Sequence, residues 1–193
     1  MAYKIAAILL AAGMSKRAGP VNKLLAPIDG VAMVKQCLDV VMRSACDPVL
    51  VVTGHEAPRI EAALNRSGIS FVHNDTYAEG MASSIRRGIN ALADDVDGVV
   101  IVLGDMPHIQ PQTYEALFKA FALDQGHQIY VPVQGGARGN PVLFGRRFFA
   151  DLEQLKGDKG GKPVMEKNTT DVFEVPVNDP GIHRDHDVVS ELS

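Results

Sequence analysis

Within the stretch IAAILLAAGMSKRAGPVNKLL, three cations, Lys16, Arg17 and Lys23, follow an apolar run that ends in Ala-Ala-Gly. A tight turn after a strand exposes backbone N–H groups to phosphate oxygens, and Arg17 and Lys23 can add charge-assisted hydrogen bonds. The stretch is no Walker A loop, because no Gly-Lys-Ser/Thr follows Gly13 or Gly19, and the G-x-G-x-x-G of dinucleotide binding is missing. A surface loop that carries three cations is the alternative reading. A second group with chemical promise is Asp105, which follows the apolar run VVIVL and precedes Met106-Pro107. One or two carboxylates plus substrate phosphates are the usual donors for Mg²⁺, although an Asp here also suits a turn or the cap of a following helix.

Asp185 and Asp187 are two residues apart, so in an extended segment both would lie on one face. His183 and His186 stand beside them, but without an H-x-x-x-H helix or a Cys partner they do not make a transition-metal centre. Ser83 and Ser84 fall in the first turn of a predicted helix, where hydroxyls and open N–H groups bind a ligand or cap the helix. In KGDKGGK, the segment Gly157, Asp158, Gly160 and Gly161 can present backbone N–H groups to a phosphate or serve as a plain connection.

The elements that must position these residues alternate in type. Apolar, β-branched runs predict strands at 4–11, 48–53, 69–73, 98–103 and 128–132, with less distinct ones near 141–144 and 172–175. Helical length and period mark 31–44, 57–65, 82–92 and 111–123, with shorter helices at 146–155 and 163–167. This alternation predicts a three-layer α/β/α fold around a mostly parallel, Rossmann-like sheet. The run at 98–103 is apolar throughout, as in a central parallel strand covered on both faces. Ligands of such folds sit beyond the carboxyl ends of the strands, where Gly13, Asp105 and the loop after Pro132 would meet.

Composition narrows the partners. The chain has 193 residues, 46% of them hydrophobic, and neither a repeat nor a linker divides it, so a single domain over 1–193 is expected. A net charge of -4 supplies no global basic field for a polynucleotide, so no nucleic acid is expected as a partner. Cys37 and Cys46 form no C-x-x-C pair and read as reduced, packed thiols of a cytoplasmic protein. Residues 5–12 are too few to span a bilayer and lack signal-peptide flanks, so no membrane partner is expected.

LLAAGMSKRAGPVNKLL resembles the signature loop of the nucleotidyltransferases that complete the molybdenum cofactor, the MobA-like NTP transferases. GMASSIRRGI, LGDMP, RGNPVLFGRRFF, GDKGGK and GIHRDHD follow in that family's order and extend the likeness over nearly the whole chain. The resemblance implies a sheet of the nucleotide-diphospho-sugar transferase type. It also implies a Mg²⁺-dependent transfer of a nucleotide to a phosphate acceptor, with release of pyrophosphate. Within the family the pattern is most similar to the cytidylyltransferases, which use CTP and a molybdopterin-type acceptor, and an apo molybdenum hydroxylase is the implied recipient of the product. Relatives that attach GMP tend to read Leu-Ala-Gly-Gly where this chain has Leu10-Ala11-Ala12-Gly13, so the Ala12 side chain favours the smaller pyrimidine.

By the same resemblance, Leu10, Ala11, Ala12, Gly13, Arg17, Lys23, Gly80, Ser84 and Asp105 would contact the nucleotide. Arg17, Lys23 and Asp105 would act in the transfer, Asp105 and Asp185 would hold the metal, and Asn140, Pro141, Gly160 and Gly161 would meet the acceptor. Lys16, beside Arg17, is expected to face solvent. The family's Thr-Pro-Glu-Asp after the second Asp is replaced here by Val188-Val189-Ser190-Glu191. Two other functions fit the same motifs: transfer to a sugar or polyol phosphate, and a non-catalytic carrier that binds the dinucleotide cofactor.

Overall fold

The computed structural model describes residues 3–14, 22–123 and 126–186. Its strands are β1 (Ile5–Ala11), β2 (Pro27–Ile28), β3 (Val31–Ala32), β4 (Val49–Thr53), β5 (Ser70–His73), β6 (Gly98–Leu103), β7 (Ile129–Gln134), β8 (Ala137–Arg138), β9 (Val142–Gly145) and β10 (Val172–Pro176). The α-helices are α1 (Met33–Val41), α2 (Ala57–Ala63), α3 (Met81–Ile89), α4 (Pro111–Leu123), α5 (Phe149–Glu153) and α6 (Lys162–Lys167). The main sheet runs β10-β7-β9-β6-β1-β4-β5, with β8 paired to β7.

Strand β1 shows how the sequence makes three layers. Its seven residues are all buried, and side chains alternate between the two faces of a strand. Ala7, Leu9 and Ala11 join Val34, Leu38, Tyr114 and Leu117 of α1 and α4 in one core. Ala6, Ile8 and Leu10 join Ala82, Ile85, Phe149 and Leu152 of α3 and α5 in the other. A strand with apolar residues on both faces can be satisfied only between two helical layers. Among the described residues no helix is long and apolar enough to cross a membrane.

The sheet is mostly parallel, as expected, with a reversal at β9, and one helix boundary changes. Strand β6 is parallel to β1 but antiparallel to β9, and β9 is antiparallel to β7 as well. The chain reaches β9 from β7 through the short β8 turn rather than through a crossover helix, so it must run backwards. Its first end, at Asn140-Pro141, therefore lies at the edge where the parallel strands finish. The helix expected over 31–44 begins only at Met33, because Val31–Ala32 pairs with Pro27–Ile28 in a hairpin. The turn residues Asp29 and Gly30 both have positive φ, the conformation for which Asp-Gly is favoured. Both cysteines are free.

Candidate active site

Four strand ends and one strand start define the site edge. Strand β1 ends at Ala11 and leads into Ala12-Gly13, β4 at Thr53 before Gly54, β6 at Leu103 before Gly104-Asp105 and β7 at Gln134, while β9 begins beyond Asn140. The end of β6 is tied to that of β1 by a Gly104 N–H donated to the Leu10 carbonyl at 3.2 Å. Beneath this turn the Cys37 thiol of α1 meets the Gly104 carbonyl at 3.3 Å, and burial pushes the thiol up to about 12. Cys37 is thus a neutral packing residue under Asp105, with no role as a nucleophile.

Lys23 and Asp105 meet across this edge, with Nζ 2.6 Å from Oδ2. Lys23 is placed by a 3-10 turn over Lys23–Leu25, which Asn22 caps by accepting the Leu24 N–H at 3.1 Å and which the buried Leu24 anchors. Both partners are about one-fifth exposed, so the pair faces a crevice wet enough to exchange one partner for a ligand. The opposite wall comes from the far end of the chain: the His186 N–H donates to the Asp105 carbonyl at 2.9 Å. That bond sets Asp185, which is exposed, next to Asp105 at the same edge. The rings of His108 and His186 stand nearly edge to face at 5.9 Å beside them.

Among the described residues no group of three or more His, Cys, Asp or Glu side chains gathers that could hold a metal. Asp105 and Asp185, brought to one edge by that backbone bond, are nevertheless of the residue type that suits Mg²⁺ or Mn²⁺, which take their remaining oxygens from phosphate and water. The Lys23 ammonium on Asp105 Oδ2 is a cation already in place there.

Leu10, Ala11 and Ala12 are all buried. The Ala12 side chain packs against Gly54, and the Ala12 carbonyl accepts the His55 N–H at 3.2 Å. Gly13 is the exposed member of the run. Arg17 and Lys16, and Asp187 at the other end, lie outside the described residues.

The start of α3 forms the next wall. Gly80 precedes it with φ 105°, and a side chain there would press on the Gly157 carbonyl. The 156–161 loop closes on this end of the helix. Asp158 Oδ1 accepts the Met81 N–H at 2.9 Å, and the Gly157 carbonyl accepts the Ala82 N–H at 3.0 Å. Asp158 therefore caps α3 and complements its dipole, a link that the glycine pattern of the loop did not reveal. Asp158→Ala is expected to cost about 1 kcal/mol, a fall in Tm of about 2–4 °C for a chain of this size, read by thermal denaturation.

Ser83 and Ser84 are both buried and both accept from Asn74 Nδ2, at 2.9 and 3.0 Å. Ser83 gives its own O–H to the Gly80 carbonyl at 2.8 Å, whereas Ser84 retains a hydroxyl proton to donate. Asn74 is itself fixed, since its Oδ1 accepts from the Thr76 N–H and hydroxyl, each at 3.1 Å. Sequence reasoning missed Asn74. Its one signal is a polar residue directly after an edge strand.

On the far side, the Asn140 N–H donates to the Ile182 carbonyl at 2.9 Å, and Pro141 is buried. Gly160 lies against Met81 and Gly161 against the Phe144 ring. The glycine loop thus borders α3 and β9, while Asn140 borders the arm that carries Asp185.

Comparisons with known proteins show which proteins this chain is similar to. The chain matches the model of the MobA-like NTP transferase domain over residues 7–172. It is 29% identical over 140 residues to the molybdenum cofactor cytidylyltransferase of Escherichia coli K12, covering 70% of this chain and 67% of that protein. A nicotine blue oxidoreductase of Paenarthrobacter nicotinovorans is 24% identical over 97% of this chain and 94% of its own length. The chain spans 50% or less of the bifunctional GlmU proteins of Desulfotalea psychrophila and Bordetella petrii, which it also matches.

Among solved structures, the Mycobacterium sp. strain JC1 homolog of Rv0371c superposes with a TM-score of 0.81 at 26% identity, over 91% of this chain and 86% of that one. Rv0371c of Mycobacterium tuberculosis in complex with manganese gives 0.76 at 25% identity, over 92% and 89%. With a match over residues 7–172 and a shared fold, the chain belongs to the MobA-like NTP transferase family and is a nucleotidyltransferase by that membership.

Proposed function

We propose that this chain, as a single domain working in the cytoplasm, transfers CMP from CTP to the terminal phosphate of a molybdopterin-type acceptor. The observation that carries the reading is the meeting of Lys23, Asp105 and the Asp185–His186 segment at one strand-end edge. The choice of CTP and acceptor is supported by the likeness to the Escherichia coli cytidylyltransferase and by the Ala-Ala-Gly turn.

In this reaction an oxygen of the acceptor phosphate forms a bond to the α-phosphorus while the bond from that phosphorus to the β-phosphate oxygen breaks. Pyrophosphate leaves with the electron pair. The protein needs no covalent nucleophile and contributes position and charge. Mg²⁺, held by Asp105 and Asp185, would neutralise phosphate oxygens when bound. Lys23 exchanges Asp105 for the triphosphate and holds the growing negative charge, joined by Arg17. Gly13 offers its exposed backbone to the nucleotide, and the Ser84 hydroxyl, oriented by Asn74, donates to the base next to Gly80. Asn140 and Pro141 line the acceptor side, and Gly160 and Gly161 hold the acceptor's phosphate. A product of this kind suits delivery to an apo molybdenum hydroxylase.

The test is pyrophosphate release from CTP, GTP, ATP and UTP, each with a molybdopterin-type acceptor or with sugar and polyol phosphates. CTP with the molybdopterin-type acceptor is expected to be fastest. A strong preference for GTP would overturn the cytidylyl reading, and a preference for a sugar phosphate would move the acceptor. Tight product binding without any turnover would make the protein a carrier.

A further inference from the structure

The residues from 179 to 186 form an arm that crosses the site edge, and a single buried carboxylate fastens its root. Asp179 is 2% exposed. Its Oδ2 accepts the Gln110 N–H at 2.8 Å and the Thr113 hydroxyl at 2.6 Å, both at the entrance to α4. Its Oδ1 accepts the Gly181 N–H at 2.9 Å and so caps the 3-10 turn over Pro180–His183. A buried carboxylate is tolerable when donors surround it, and here each oxygen serves a different segment. Beyond Asp179 the arm follows the strand ends. A side chain on Gly181 would run into the His108 carbonyl, Ile182 is fully buried and takes the Asn140 N–H, and a His183 ring nitrogen lies 3.0 Å from the Ala137 carbonyl. The arm then reaches Asp105 through the His186 amide.

We propose that Asp179 is a positioning residue, which latches the arm to the α4 entrance and thereby holds Asp185 beside Asp105 as the second carboxylate of the metal site. The inference rests on the metal reading given under Proposed function, but it concerns a residue outside that site. Asparagine in place of Asp179 turns one acceptor into a donor, which must face either the Gly181 N–H or the Gln110 N–H. One half of the latch is therefore lost while the volume is kept.

The test uses the full chain and two readouts: amide exchange at His186 by mass spectrometry, and Mn²⁺ affinity by electron paramagnetic resonance. Asp179→Asn is expected to speed exchange at His186 at least about tenfold and to raise the Mn²⁺ dissociation constant about 10- to 100-fold, the usual effect of losing a residue that orients a ligand. Asp185→Ala should lose the same affinity, and the double variant no more than Asp185→Ala alone. Ile89→Ala, at the C-terminal end of α3 and in the core of the other helical layer, serves as a control for lost stability and should leave both readouts at wild-type values. If Asp179→Asn does not fold, Thr113→Val removes one donor and should move both readouts in the same direction. Wild-type Mn²⁺ affinity and His186 exchange in these variants would overturn the latch. If the wild type binds no Mn²⁺, the metal reading fails, and exchange at His186 alone decides whether Asp179 holds the arm.

Discussion

Asp105→Asn is expected to lower pyrophosphate release by about 10³-fold while Tm stays near that of the wild type. The substitution keeps the size of the side chain and an oxygen for Lys23, and it leaves the main-chain bond from His186 in place. It removes the negative charge that would hold a divalent cation against the phosphates. Electrostatic stabilisation at a transferring phosphoryl group is worth several kcal/mol, and each 1.36 kcal/mol or so is a factor of ten in rate. Steady-state release from saturating nucleotide checks the rate, and thermal denaturation checks the fold. Turnover at the wild-type rate would remove Asp105 from the reaction.

Lys23→Met is expected to move two measurements in opposite directions. Without the ammonium proposed to meet the triphosphate, turnover should fall about 10²-fold, the size of effect seen when one transition-state donor is removed. The same ammonium sits 2.6 Å from Asp105 Oδ2, so its loss frees the carboxylate and should tighten Mn²⁺ binding to the protein several-fold. Damage to the fold would weaken both. A lower rate with unchanged or weaker Mn²⁺ affinity would mean that Lys23 and the metal do not compete for Asp105.

The layers and the site edge were legible in the sequence because they are written in local pattern. Residues 4–11 read as an apolar strand, 98–103 as one covered on both faces that ended abruptly at Gly104-Asp105, and 111–123 had the length and period of a helix. The direction of β9 was not legible, since a short apolar run looks the same either way and only the absence of a crossover helix before it fixes the reversal. The site divides in the same manner. Lys23 and Asp105 each announced themselves by type and by place after a strand. Asn74, Asp158 and Asp179 did not, because each acts through partners in another element: Asn74 reaches Ser83 and Ser84, Asp158 reaches Met81 and Asp179 reaches Gln110. A polar residue in a turn carries no local mark of which distant N–H it will meet.

The arm also has a meaning for how the molecule is made. Lys23 and Asp105 stand 82 residues apart in the chain, and Asp105 waits for the amide of His186 to close the edge. A ribosome delivers these segments in order, so a nascent chain can complete its first strands long before the edge of the crevice exists. No fragment that stops short of the arm can hold both carboxylates. A product that stops after β10 would keep all the strands of the main sheet and lack Asp185 and the His186 amide at its edge.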